Sequence, residues 1–277
     1  MTPAARARRA ERRGYPRLIS PDALADRLPA SRVALCLDYD GTLVPIAPRP
    51  ESATFDPAGR DLLRRLARLM PVALVSGRAR ATLRALIGLR SPVYVGNHGW
   101  EIGGPGIRFD PPLPPRWRAD LDRMLNDVRA LSVAGVLIEH KGITASLHYR
   151  LVAAPHRRRW LRAVRSRLAP WVAARRVALV DGYAVIELRP PRAWNKGTAV
   201  RWLLSRPGWH GRTPVYLGDD ATDEDAFQAI RSRGIGVLIG SRRLTAARFR
   251  VSNPAAVRRL LTRWLPPATC PEPSRNR

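Results

Sequence analysis

Cysteine and lysine are nearly missing from this chain of 277 residues. Only Cys36 and Cys270 occur, one inside an apolar run and the other in a proline-rich tail. Two cysteines so placed make no disulfide framework, and a reducing cytoplasm is the expected compartment. Lysine occurs only as Lys141 and Lys196, so almost all of the 49 basic residues are arginine. Acidic residues number only 22, leaving a formal net charge of +27. No apolar run approaches the roughly 20 residues of a membrane span. The basic start, "MTPAARARRAERRGYPR", leads into no hydrophobic segment of a secretory signal. No membrane partner is expected.

A positive excess favours phosphate-rich partners. The arginines here are scattered, and aromatics make up only 6% of the chain, so few interleave with them. That pattern reads as arginine preferred on solvated helix faces, with no specific nucleic-acid partner. A nucleic-acid-binding protein on a retired enzyme scaffold is the alternative from another class. The sequence carries no information on oligomeric state.

What is present is a strand–helix alternation with apolar strands. "RVALCLDYD", "PVALVSGR" and "PVYVGNHG" read as buried strands separated by helices over "DPAGRDLLRRLARLM" and "ARATLRALIG". "NKGTAVRWLL", "PVYLGDD", "DEDAFQAIRSR", "GIGVLIG" and "NPAAVRRLLTRWL" continue the rhythm near the C-terminus. Between them, "GGPGIRFDPPLPPRW" reads as a linker. An α+β insert follows, closed by a hairpin turning at Asp181-Gly182. The fold class is therefore α/β: a Rossmann-like parallel-sheet core with an inserted α+β domain. The expected division is a basic tail over 1–17, a core over 18–104 and 184–267, an insert over 105–183, and a tail over 268–277.

Three predicted strands end in polar groups: Asp38 and Asp40, Ser76, and Asp219 with Asp220. In open α/β sheets such ends line one crevice. Clustered carboxylates oppose one another's ionisation unless a cation compensates, and oxygen donors suit Mg²⁺. Asp38, Asp40 and Asp219 are the candidate metal ligands, with a backbone carbonyl completing the protein's share. Asp220 and Asp223 stand behind them as support, although Asp223 reads equally well as a helix N-cap. With charge neutralised, Asp38 is a candidate nucleophile toward phosphorus and Asp40 a candidate acid and base. Thr42, Ser76 and Lys196 are the candidate phosphate holders. His98 is a candidate on the substrate side or a satisfied structural group.

"DYDGT" (38–42), "VSGR" (75–78), "NKG" (195–197) and "GDDATDEDAF" (218–227) resemble the four ordered motifs of the haloacid dehalogenase phosphatase superfamily. About 34 residues separate Thr42 from Ser76 and about 120 separate Ser76 from Lys196, which implies a cap domain between the second and third motifs. "GNHGWE" (96–101), "IEHKGITASLHYR" (138–150) and "VIELRPPRAWNKG" (185–197) narrow the likeness to the trehalose-6-phosphate phosphatase family. That resemblance implies hydrolysis of trehalose 6-phosphate through an aspartyl-phosphate with Mg²⁺, and binding of glucose hydroxyls by Glu139, Lys141, Arg150 and Glu187. Phosphatases for sucrose or mannosylglycerate phosphates are the alternative within enzymes. The chain departs from the family's usual Gly-Lys at Gly182-Tyr183, which implies one altered sugar contact.

Overall fold

The strands that build the larger sheet are short and apolar throughout. The computed structural model describes residues 17–18, 23–24, 26, 28–47, 52–182, 184–241 and 244–266. β1 (Arg17–Leu18) starts the chain's described part, and β2 (Val33–Leu37), with every residue buried, follows. β3 (Val72–Val75) and β4 (Val93–Gly96) are likewise buried along their whole length. A strand with no polar face must be covered on both sides, and helices do this. α1 (Pro57–Leu69) starts where the Asp56 carboxylate accepts from the Gly59 amide at 2.7 Å, with Pro57 in its first turn. It buries Leu62, Leu63 and Leu66 against the sheet. α2 (Arg80–Ile87) stops at Gly88, whose φ of 69° is the left-handed C-cap that glycine tolerates best.

The chain then adds a hairpin, β5 (Glu101–Gly104) and β6 (Ile107–Phe109), antiparallel to β4. The start of the linker expected here, through Phe109, is therefore the edge of the core sheet. The hairpin's first strand, "EIGG", has too little apolar character to read as a strand, yet it gains a ladder from β4.

The insert comprises α3 (Trp117–Arg129), β7 (Leu137–His140), β8 (Ala145–His148), α4 (Ala154–Ala173), β9 (Ala178–Gly182) and β10 (Val185–Arg189). Its four strands form an antiparallel sheet in the order β7-β8-β10-β9. One face packs on α3 and α4 around Trp117, Leu121, Trp160, Val164 and Leu147. The expected boundary at 183 is corrected: β10 belongs to the small sheet, so the chain leaves the insert after Arg189. The hairpin turn also shifts, because Gly182 is already paired with Val185. Ala184 carries the positive φ of 55°. Tyr183 lies outside the described residues, as do the tails over 1–16 and 267–277.

The core resumes with α5 (Lys196–Leu204), β11 (Thr213–Gly218), α6 (Glu224–Ile230), β12 (Ile235–Ile239), β13 (Phe249–Val251) and α7 (Pro254–Thr262). The nine strands run β1-β13-β12-β11-β2-β3-β4-β5-β6, parallel up to β4. Apolar clusters cover both faces of this sheet. The neighbours β11, β2 and β3 end side by side, which brings Asp219, Asp38 and Ser76 to one edge.

Candidate active site

Asp38 leaves the end of β2 with its amide bonded to the Leu217 carbonyl at 2.9 Å, so two strands fix its backbone. The residue is 5% exposed. Lys196, at the first turn of α5, reaches Asp38 Oδ1 and Asp223 Oδ1 at 2.8 Å each. That helix is anchored by Asn195, whose side chain accepts from the Thr198 amide while Thr198 Oγ1 accepts from the Asn195 amide. Burial alone would depress the Lys196 ammonium. Asp223 and Asp38 outweigh it and hold Lys196 protonated well above the ordinary lysine range.

Asp223 is wholly buried and hydrogen-bonded on both oxygens. Oδ1 accepts from Lys196 and from the Tyr216 hydroxyl at 2.6 Å, and Oδ2 accepts from the amides of Asp219 and Asp220 at 2.9 and 3.0 Å. Asp220 caps the 3-10 turn Ala221–Asp223, its Oδ1 accepting from the Thr222 amide at 2.7 Å, and Asp223 stands at the N-cap position of the α-helix that begins at Glu224, without a side-chain cap bond. Oxygens of Asp38, Asp219 and Asp223 lie within 4.8 Å of one another, the spacing of a cation site. Burial, then Asp223 and Asp220, push Asp219 up to about 7. Burial likewise raises Asp38, against the pull of Lys196. These crowded oxygen donors fit a hard divalent cation. Asp38 and Asp219 keep lone pairs for it, whereas Asp223 has committed most of its own to the protein.

Asp40 departs from the expected ligand set. Its carboxylate is outside the Asp38–Asp219–Asp223 group and is held in a two-point ion pair, with Arg78 Nε and Nη2 donating at 2.8 and 2.7 Å. Arg78 is itself buried and stands over the Tyr39 ring at 5.4 Å. Gly41, between Asp40 and Thr42, has φ of 81°, and a Cβ there would collide with the Asp219 carboxylate. Thr42 Oγ1 donates to Asp219 Oδ1 at 3.4 Å and is fully buried. The Ser76 hydroxyl accepts from the Arg78 amide at 3.1 Å, in the turn that carries both residues.

The insert supplies the opposite wall. Lys141 Nζ donates to the Gly77 carbonyl of the core at 3.0 Å and to Glu187 Oε1 at 3.3 Å. Ser146 Oγ donates to the same Glu187 oxygen at 2.7 Å. Burial would raise the Glu187 carboxyl, but the Lys141 ammonium holds it well below the ordinary range. His98 lies 3.6 Å from Glu187 with φ of 56°, its ring packed on Gly77, where a Cβ would not fit. Burial, with Arg189 nearby, pushes His98 down to about 3, so it is neutral. Glu139 accepts from His148 at 3.2 Å, and Arg150 Nη1 donates to the Ala47 carbonyl of the core at 2.9 Å.

A cavity of about 670 Å³ separates the two walls, with Asp38, Asp219 and Lys196 on its floor. Asp40, Ser76, His98, Glu139, Lys141, Arg150, Glu187 and Asp220 also face it. Thr42 and Asp223 do not; they act from behind the floor. Sequence reasoning missed Arg78 and His148, both on the cavity. Arg78 sat within the quoted "VSGR", and His148 alternates with Ser146 and Arg150 along one strand face, so signals for both were present.

The family model for trehalose-phosphatase matches residues 36–255. The chain is 34% identical over 268 residues to trehalose 6-phosphate phosphatase RA3 of Zea mays, covering 87% of this chain and 73% of that one. It is 37% identical over 250 residues to an uncharacterized glycosyl hydrolase of Mycobacterium tuberculosis, covering 85% of this chain but only 18% of that longer one. The fold resembles the C-terminal domain of the C. albicans trehalose-6-phosphate phosphatase, with a TM-score of 0.76 at 22% identity over 90% of this chain and 97% of that one. Among the described residues, no helix is long and apolar enough to cross a membrane. The chain belongs to the trehalose-phosphatase family, phosphatases on an α/β fold of the haloacid dehalogenase type.

Proposed function

We propose that this chain hydrolyses trehalose 6-phosphate to trehalose and phosphate, with the sheet edge as catalytic core and the insert as specificity cap. The observation that carries the reading is Lys196 fixed 2.8 Å from Asp38, beneath a cavity whose far wall holds Lys141, Glu139 and Glu187. The phosphate end of the substrate lies on the floor, and the sugar lies against the cap.

Lys196 occupies Asp38 Oδ1, leaving Oδ2 to attack phosphorus. The new O–P bond forms as the bond to the sugar oxygen breaks, and Asp40, in its protonated form and released from the Arg78 pair, gives its proton to that oxygen. Asp40 then takes a proton from the water that attacks the acyl phosphate, and cleavage restores the Asp38 carboxylate while phosphate leaves. Arg78 holds Asp40 in its ionised form, the form that takes the proton from the attacking water. Ser76 and Lys196 grip the phosphoryl oxygens, with Thr42 supporting Asp219 from behind. Asp38 and Asp219 would hold Mg²⁺, which, when bound, supplies the positive charge that keeps both carboxylates ionised and polarises the phosphoryl group. Asp220 and Asp223 brace that floor. Glu139, Lys141, Arg150, Glu187 and His98 meet sugar hydroxyls; the His98 ring nitrogens and Glu187 Oε2 have no hydrogen-bond partner among the described residues.

The test is phosphate release, with Mg²⁺ and with a chelator, from trehalose 6-phosphate, sucrose phosphate, mannosylglycerate phosphate and a small aryl phosphate. The highest kcat/KM belongs to trehalose 6-phosphate and is lost with the chelator. A higher value for either other sugar phosphate moves the assignment to that substrate.

A further inference from the structure

The cap sheet presents two parallel rows of side chains to the cavity, and they differ in chemistry. Strand register sets Glu139 opposite Ser146 and Ser146 opposite Glu187. Two residues along each strand, Leu137 pairs with His148 and His148 with Val185. Because side chains alternate along a strand, both rows share one face. The first row is polar and abuts the core through Lys141 and His98. The second is hydrocarbon except for His148, which is engaged with Glu139.

The apolar row continues across the cavity mouth. Leu151 and Val136 flank it on the cap, and Ile46 faces it from the core beside Ala47, which receives Arg150. Among the described residues, six large hydrophobic side chains are exposed, and three of them stand at this mouth: Ile46 at 51%, Leu137 at 41% and Leu151 at 57%. Apolar side chains gathered at the rim of a site, and not scattered, mark a binding surface. A molecule held by its phosphate on the floor and by its sugar on the polar row must leave between these residues. Carbon moved out of water there is buried favourably, whether it is the carbon-rich face of a second sugar ring or a hydrocarbon chain.

We propose that this collar is a subsite for a hydrocarbon group, so that the enzyme accepts sugar phosphates bearing an alkyl, acyl or aryl substituent beyond the phosphorylated ring. The inference rests on the phosphatase reading above and names its substrate class. Each methylene moved out of water is worth roughly fourfold in affinity. A half-enclosed collar therefore favours a six-carbon chain over a methyl group by roughly tenfold or more.

The experiment compares methyl and hexyl α-glucoside 6-phosphate, each as substrate and as competitor of trehalose 6-phosphate hydrolysis. The expected result is a kcat/KM or a competitive Ki about tenfold better for the hexyl compound. In an Ile46→Ser, Leu137→Ser double variant that advantage falls to within about twofold. Both positions are exposed, and an unchanged melting temperature checks the fold. Equal behaviour of the two glucosides, with trehalose 6-phosphate still hydrolysed, overturns the collar and leaves the phosphatase reading standing. A chain-length effect that survives the double variant overturns its location. If no sugar phosphate is hydrolysed, the phosphatase reading fails and the collar falls with it.

Discussion

Asp38 and Arg78 make the sharpest claims at the scale of single residues. Asp38→Asn keeps size and the Lys196 contact but removes the attacking charge, so phosphate release should fall at least about a thousandfold. A variant with near-normal turnover would sink covalent attack by Asp38. Arg78→Ala strips two charge-assisted hydrogen bonds from Asp40, each worth on the order of 1.5–3 kcal/mol, and should lower kcat roughly ten- to a hundredfold. Arg78→Lys keeps the charge without the planar fork, so it should recover only part of that loss. Full recovery by lysine would mean that charge alone matters there. The meeting of Asp38 and Lys196 on one cavity floor was legible because each sits in an ordered motif at a strand or helix end. The Arg78–Asp40 pair was not, because it joins residues 38 positions apart through a turn whose shape no local pattern specifies. Where the Asp40 carboxylate points was hidden for the same reason: proximity in sequence to Asp38 does not set it.

Among elements, the buried strands were plain from their apolar runs and the helices from their leucine spacing, while the structure adds Asp56, Asn195 and Asn253 as caps. The β5–β6 hairpin was hidden, since glycine and proline signal breaks and its pairing comes from β4 at the sheet edge. The turn between β9 and β10 falls after the expected Asp181-Gly182, because Gly182 is already paired with Val185, although Asp-Gly is a strong local turn signal. The junction of cap and core was invisible in sequence. The Asn97 amide nitrogen donates to Glu101 at 2.7 Å and to the Lys141 carbonyl at 3.2 Å, while Thr144 Oγ1 donates to Asn97 Oδ1 at 2.7 Å. Asn97 pays for this with φ of 48°, in the left-handed region. Thr144→Val keeps the shape and orphans a buried acceptor, at a cost of about 1–3 kcal/mol. It should lower the melting temperature by several degrees and raise KM for trehalose 6-phosphate more than for an aryl phosphate that never meets Lys141. Equal changes in both KM values would make Thr144 a stability residue only.

At the scale of the whole molecule, the buried charges give opposing pH dependences. Asp219 has a folded pKa of about 7 against an unfolded value near 3.8, so its contribution is fully present below pH 3.8 and is lost as pH rises through 7. Asp38 is shifted in the same direction. His98 runs the other way: its folded pKa of about 3 lies below the ordinary 6.5, so its contribution is present above pH 6.5 and lost as pH falls through 3. The Asp219 and His98 windows nearly coincide, and without a divalent cation their slopes largely offset. Mg²⁺ bound at Asp38 and Asp219 requires both carboxylates ionised, so binding releases the protons they hold and weakens as pH falls. The melting temperature should therefore rise by several degrees on adding millimolar Mg²⁺ at pH 7.5, since one kcal/mol moves a protein of this size by roughly 2–4 °C. At pH 5 the gain should shrink to about a degree or less, because Asp219 is then mostly protonated. Asp219→Asn removes the raised carboxylate and should abolish the Mg²⁺ gain at both pH values while raising the cation-free melting temperature at pH 7.5. A Mg²⁺ gain that is the same at pH 5 and 7.5, or that survives Asp219→Asn, would place the cation elsewhere.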